Sequence, residues 1–344
     1  DGPCPYTANF QYPNKIINSQ DNKEFLQKIC NNYGINVAIV STPDMPRFVY
    51  LASCLKGKVK LVGHYHQSPK VKASFLTHFS KNRFACWKPV MFISLTINVI
   101  RHRKYYRFMM RTIDKMVVLS PAYIGEVGLL AGGYQFKCFS IANPFPPARV
   151  DFNPKEKQNT ILYVGRINEE QKKISILLDI WSKVFSLLPD WYLKIVGGAE
   201  DSEMNHWKEY ASSKNMDNYS FEGYQNPEPY YREAKIILMT SAFEGFPMVL
   251  VEAMQYGCIP IAFNTFMALS DIIDDSYNGY SIKPYKKGKY IKRLLELASD
   301  EDILKKLSFN AKLKSLDFET EKVVPQWDVL FEDIFSEISH KSIS

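Results

Sequence analysis

Short runs of β-branched and apolar residues alternate along this chain with longer stretches of helical period, and few architectures accommodate that alternation. Residues 36–41, 59–64, 115–120, 160–165, 191–197, 218–223, 235–240 and 259–263 read as strands. Helices are predicted over 121–131, 174–188, 203–214 and 247–256. Strands joined by helical crossovers pair in parallel and are covered on both faces, so the expected fold class is α/β.

The sharpest interruption is Asn143, Pro144, Phe145, Pro146 and Pro147, followed by the polar run 153–159. Prolines so closely spaced continue neither a helix nor a central strand, and a fresh strand begins at Thr160. An interdomain linker is expected there. The domains are then 1–147 and 148–320, with a C-terminal helix over 321–344 that returns to the first domain. At 344 residues, 46% of them hydrophobic, the chain is long enough for two cores.

The net charge of +7 is regional. Between Lys70 and Lys115 eleven basic residues face one acid, Asp114, which leaves the rest of the chain slightly acidic. Within that segment Arg101, Arg103, Lys104 and Arg107 mix with Tyr105, Tyr106, Phe108 and Met109, a surface suited to anionic lipid headgroups. No nucleic-acid fold signature accompanies it, so nucleic acid is not an expected partner. The six cysteines are spread singly, unlike a zinc site or a disulfide framework. The longest apolar run, 89–100, is too short to span a bilayer, and no signal-peptide pattern opens the chain. A cytoplasmic protein is expected, with peripheral contact at the inner membrane face through 70–115.

The strongest chemical signal runs from Ser241 to Met254 and follows an apolar strand. Pro247 is favoured at a first helical position, and Gly245 lets backbone approach a ligand closely. The N–H groups of Met248, Val249 and Leu250 would point out of the helix start, an anion site suited to a diphosphate. Glu244 and Glu252 flank the turn, eight residues apart. Along a helix that is roughly 12 Å, beyond the about 5–9.5 Å of glycosidase carboxylate pairs.

A second signal is Gly165–Arg166 at the end of the strand after the linker, with Lys172 six residues on. Two cations beside a helix start suit a leaving diphosphate without a metal. No metal site is expected: the nearest candidate, Asp274 with Asp275, reads as a turn before Asn278 and Gly279. In the first domain, Gly63–His64–Tyr65–His66 takes a strand into a loop. A histidine there is neutral enough near pH 7 to steer an acceptor, with His66 and His64 as alternatives.

From Asn143 to about Pro284 the chain resembles the donor-binding half of family 4 retaining glycosyltransferases, especially those of capsule and O-antigen assembly. The features align in order: Asn143–Pro144, Gly165–Arg166, Lys172, Gly197–Gly198, Phe221–Glu222–Gly223, the segment from Glu244 to Glu252, Gly257 with Pro260, and Asn278–Gly279. The resemblance implies a GT-B fold, two Rossmann-like domains facing across a cleft. It implies a catalytic set of Glu244, Arg166, Lys172 and His66, with Arg166 and Lys172 on the diphosphate. Glu244 and the Gly245–Phe246 backbone would meet the transferred sugar, with His66 beside the acceptor. Pro247, Met248 and Val249 would form the phosphate-binding helix start, Glu252 would take the ribose, and Gly165, Gly198 and Tyr224 would lie near the phosphates or base.

The donor implied is a nucleotide-diphosphate sugar, UDP favoured over GDP, carrying a hexose or N-acetylhexosamine. The acceptor implied is a saccharide or lipid-linked saccharide in surface polysaccharide synthesis, and no cofactor is required. The alternatives are a non-catalytic nucleotide-sugar-binding subunit and a GT-B epimerase or hydrolase. The chain departs from the family at its start, because nothing in 1–28 matches the usual first strand and Gly-rich loop. The first domain is therefore expected to be shortened.

Overall fold

The computed structural model describes residues 11–17, 19–41, 43, 45–69, 88–148 and 157–341. The chain divides into two compact units, one reaching Ser140 and resuming at Leu330, the other Ile141–Val329.

In the first unit, strands β1 (Val37–Val40), β2 (Lys60–Tyr65), β3 (Lys115–Val118) and β4 (Cys138–Ser140) form a wholly parallel sheet in sequence order. Helix Pro121–Ala131 shows how local residues set an element's ends. The Ser120 hydroxyl accepts the Ala122 N–H at 3.2 Å, Pro121 occupies the first turn, and Gly132 closes the helix at φ 77°. Both ends fall where expected.

The second unit carries β5 (Gln158–Val164), β6 (Tyr192–Val196), β7 (Tyr219–Gly223), β8 (Ala234–Met239), β9 (Ile259–Phe263) and β10 (Tyr280–Ile282). They pair in parallel in the order β10-β9-β8-β5-β6-β7. Counted within the unit this is the 3-2-1-4-5-6 arrangement of the doubly wound nucleotide-binding fold, and the order reverses between β5 and β8. Continuous apolar runs such as Ile259–Phe263 follow from burial on both faces. Ile161, Leu193, Ile195, Ile236, Leu238 and Ile261 share one buried core with helix Ile174–Val184, whose Trp181 is fully buried and donates its Nε1–H to Asp217 O at 3.0 Å. Each such side chain contributes about 1.5–3 kcal/mol of burial.

Several boundaries differ from expectation. β4 and β10, three residues each, are edge strands too short to show a period in sequence. The helix expected over 174–188 ends at Val184, before a single 3₁₀ turn over Phe185–Leu187. The proline-rich segment expected as a linker is strapped within the second unit. There Phe145 donates its N–H to Phe318 O and accepts from the Thr320 N–H, both at 2.9 Å, and Gln255 Nε2 donates to Pro146 O at 3.0 Å. Of the polar run 153–159, residues 153–156 lie outside the described residues. Lys157 is buried, its Nζ donating to the carbonyls of Tyr231 and Arg232 at the end of helix Glu228–Glu233. The helix Thr320–Lys341 runs through the division at Leu330, and Asp333 pairs with Lys115 of β3.

The tightest approach in the second unit lies where β5 and β6 run out. A Cβ on Gly197 would stand 1.8 Å from Gly165 O, and Gly197 also has φ 154°. Gly197→Ala is expected to cost more than about 3 kcal/mol. Thermal unfolding followed by circular dichroism should show Tm falling by about 6 °C or more.

Candidate active site

The site grows from the carboxyl ends of β5 and β8, at the reversal of strand order, where ligands of open α/β sheets lie. Beyond β5 the ladder continues, Gly165 N–H to Val196 O and Ile167 N–H to Gly198 O, both at 3.0 Å. Arg166 is thereby held on a short stiff edge with its side chain exposed. Asn168 Oδ1 then accepts the N–H groups of Gln171 and Lys172, at 3.1 and 3.0 Å, folding the loop back. Lys173 takes a left-handed φ of 54° immediately before helix Ile174–Val184.

From the other side the end of β8 is tied to the same loop. Thr240 Oγ1 donates to Lys172 O at 2.8 Å, and Ala242 N–H donates to Gln171 O at 2.7 Å. These bonds bring Glu244, 7% exposed, against Lys172, with Nζ to Oε1 at 2.6 Å. Gln171 completes the cluster: its Nε2 donates to Glu244 Oε2 at 3.2 Å and to Phe243 O at 3.3 Å, and its Oε1 accepts from Arg166 Nη2 at 3.0 Å. Below them the Tyr163 hydroxyl donates to Arg166 O at 2.9 Å. Burial, reinforced by the Glu244 carboxylate, holds the Tyr163 proton far above the usual phenol range.

The next helix is Met248–Gln255, so Pro247 is its N-cap, one residue before the first helical position expected for it. Leu250 N–H bonds to Pro247 O at 3.0 Å and is not available as a ligand donor. Met248 and Val249 keep first-turn N–H groups that no helical carbonyl reaches. Phe246 turns its ring inward against Phe318, centroids 5.4 Å apart, leaving backbone rather than side chain for a ligand. Glu252, partly buried, accepts the Tyr231 hydroxyl at 2.8 Å.

The structure thus brings Gly165, Arg166, Lys172, Glu244, Gly245, Pro247, Met248 and Val249 to one sheet edge. Gly198 and Tyr224 follow the neighbouring strands β6 and β7, with Tyr224 90% exposed and its Cβ 3.6 Å from the place a Gly198 Cβ would take. His66 belongs to the first unit, exposed, immediately after β2, its ring 4.0 Å from that of His64. Burial pushes His64 down to about 4, and the charge of His66 acts in the same direction.

Sequence reading missed Gln171, Asn168, Thr240 and Tyr231. Gln171 adjoins Lys172, but an uncharged residue in a polar loop carries no signal of a partner 72 or 73 residues away. Among the described residues no three His, Cys, Asp or Glu side chains gather as metal ligands. No described helix is long and apolar enough to cross a membrane.

The aromatic half of the lipid-facing surface expected within 70–115 turns inward. In helix Lys88–Thr112, Tyr106 and Met109 are buried, Phe108 stacks on Tyr50 at 4.6 Å, and the Tyr106 hydroxyl donates to that of Tyr65 at 2.8 Å. Arg101, Arg103, Lys104, Arg107 and Arg111 are exposed, as are Ile93, Ile97 and Ile100 earlier in the helix. Residues 70–87 lie outside the described residues.

Cations and a helix start converge at the switch point of a 3-2-1-4-5-6 sheet, the place where open α/β sheets carry their ligands and where an anion is favoured. Residues 145–314 match the family of glycosyl transferases group 1, and the chain belongs to that family, with a GT-B fold of two parallel α/β units. It is 30% identical over 219 residues to an uncharacterized glycosyltransferase of Haemophilus influenzae, covering 63% of this chain and 60% of that one. It is 29% identical over 257 residues to the amylovoran biosynthesis glycosyltransferase AmsD of Erwinia amylovora, covering 72% of this chain and 70% of AmsD. In structure it is similar to Anabaena HepE in complex with UDP-glucose, with a TM-score of 0.68 at 15% identity over 92% of this chain and 82% of HepE. That last likeness carries the fold alone.

The depressed His64 gives the first unit a pH signature. The unfolded chain takes up this proton near pH 6.5 and the folded chain only near 4, so stability should decline as pH falls between those values and level off below them. Imidazole NMR resonances of His64 should titrate near pH 4; a midpoint near 6.5 would contradict the burial seen here.

Proposed function

We propose that the protein is a retaining glycosyltransferase that moves a hexose or N-acetylhexosamine from a UDP-sugar to a saccharide or lipid-linked saccharide acceptor in surface polysaccharide synthesis. The observation that carries this reading is the meeting of Arg166, Lys172 and Glu244 beside the Met248 helix start. Family membership, the part AmsD plays in amylovoran biosynthesis and the UDP-glucose held by HepE support it.

In this reading Arg166, Lys172 and the Met248 and Val249 N–H groups receive the diphosphate, supplying the positive charge that the leaving group needs without a divalent metal. Glu244 and the backbone at Gly245 and Phe246 take the sugar hydroxyls, Glu252 takes the ribose, and Gly165, Gly198 and Tyr224 line the phosphate and base. Pro247 sets the helix start, and His66 steers the acceptor.

Both motif carboxylates already accept hydrogen bonds, Glu244 from Lys172 and Gln171 and Glu252 from Tyr231. With Glu244 assigned to the sugar hydroxyls and Glu252 to the ribose, neither serves as the nucleophile in this reading, and a same-face route accounts for retention. The bond from the anomeric carbon to phosphate breaks, the acceptor oxygen bonds to that carbon on the same face, and the leaving phosphate takes the acceptor's proton. Exposed cations and isoleucines on helix Lys88–Thr112 support work at the inner face of an anionic membrane, where lipid-linked acceptors reside.

Radiolabelled UDP-sugars offered with lipid-linked acceptors should give acceptor-dependent label transfer, unchanged in EDTA, and NMR should find the donor's anomeric configuration in the product. Arg166→Ala and Glu244→Gln should each lower kcat/KM by about tenfold or more. Glu244→Gln is the better variant at that position, because its amide oxygen keeps an acceptor for the mostly buried Lys172 ammonium, which truncation to Ala removes. Donor turnover without acceptor would mark a hydrolase or epimerase, binding without turnover a non-catalytic subunit, and an inverted product would exclude the retaining mechanism.

Sedimentation with phosphatidylglycerol vesicles should carry the protein down at low salt and release it at high salt, and Ile97→Asp should weaken the association. Equal sedimentation of Ile97→Asp and wild type would remove the membrane reading of this helix.

A further inference from the structure

We propose that Gln171 is a positioning residue that sets Arg166 and Glu244 in register for the donor; the inference rests on the donor site described above. Its backbone is pinned on both sides, the N–H to Asn168 Oδ1 and the carbonyl by the Ala242 N–H. The side chain then spans the gap between the loop after β5 and the turn after β8. One end accepts from the Arg166 guanidinium at 3.0 Å and the other donates to the Glu244 carboxylate at 3.2 Å.

The chemistry of the two partners selects a carboxamide. A guanidinium only donates and an ionised carboxylate only accepts, so the residue between them must accept at one end and donate at the other. Glu does the first and not the second; Lys does the second and not the first. The same requirement sets the amide orientation, Oε1 toward Arg166 and Nε2 toward Glu244. Lys172 holds Glu244 from a different direction, through Oε1, so the carboxylate is clasped at both oxygens. Gln171 need touch no substrate. It stops the exposed Arg166 side chain from sampling solvent and keeps Glu244 from rotating toward Lys172 alone.

The test separates the two ends of the amide, using UDP affinity by titration calorimetry and kcat from the transfer assay, with Tm as a check on folding. Gln171→Leu removes both ends and should weaken UDP binding by at least about fivefold and lower kcat further. Gln171→Glu keeps the acceptor facing Arg166, so UDP affinity should stay within about twofold of wild type while kcat falls, because the end facing Glu244 is now a second carboxylate. In the Arg166→Ala background Gln171→Leu should no longer change UDP affinity. An equal loss of UDP affinity in both backgrounds, or equal losses for the Glu and Leu variants, would overturn the positioning role and leave Gln171 a general contributor to the fold. Wild-type protein that binds neither UDP nor GDP would overturn the donor site itself and this inference with it.

Discussion

The reversal of strand order between β5 and β8 is the constraint on which the second unit depends. Crossovers from β5 and from β8 leave in opposite directions along the sheet, so the loops beyond these two strands diverge and frame a crevice. Arg166, Gln171, Lys172 and Glu244 are all borne by those loops. They are also stitched to each other, through Thr240 to Lys172 and Ala242 to Gln171, so the gap has stiff walls. The glycines serve the same end: only a residue without Cβ lets Gly197 pass so close to the Gly165 carbonyl, which carries the ladder one step past β5 and puts Arg166 at its rim.

Within that gap the Lys172–Glu244 pair stands out energetically. Both side chains are largely withdrawn from water, and removing two charges from water costs several kcal/mol each before their attraction is counted. An apolar pair would serve stability as well. The hydrogen bond that Gln171 donates to Glu244 offsets part of that cost, and the Lys172 backbone N–H, donated to Asn168 Oδ1, helps hold the charges in one geometry. Preorganised charge of this kind is useful where a reaction develops charge in the same place. The same logic applies one helix further on, where Tyr231 holds Glu252.

The first unit divides one helix between two tasks. In Lys88–Thr112 Tyr106 and Met109 are buried, Tyr106 meeting Tyr65 of β2, while the cations interspersed with them remain outside. Cations and aromatics that are neighbours in sequence differ in burial, because successive positions of a helix turn to different sides.

Much of this protein was legible along the chain. Parallel α/β architecture followed from apolar runs alternating with helical stretches, and the strand-to-helix turn at Glu244 from a Gly–Phe–Pro sequence after an apolar run, because these are local consequences of backbone conformation and burial. Residue order also singled out Arg166 just past a strand, Lys172 before a helix, and Glu244 and Glu252 on either side of the Gly–Phe–Pro turn, since charged residues beside apolar runs are visible without a structure. Tertiary structure alone decided that β4 and β10 exist, as three residues pair only when a neighbouring strand is already in place. It alone decided that the Phe145 segment is strapped to Glu319, and that Lys172 meets Glu244 with Gln171 spanning to Arg166. Those contacts join residues far apart in sequence, and no periodicity or propensity encodes a partner that the chain must fold to reach.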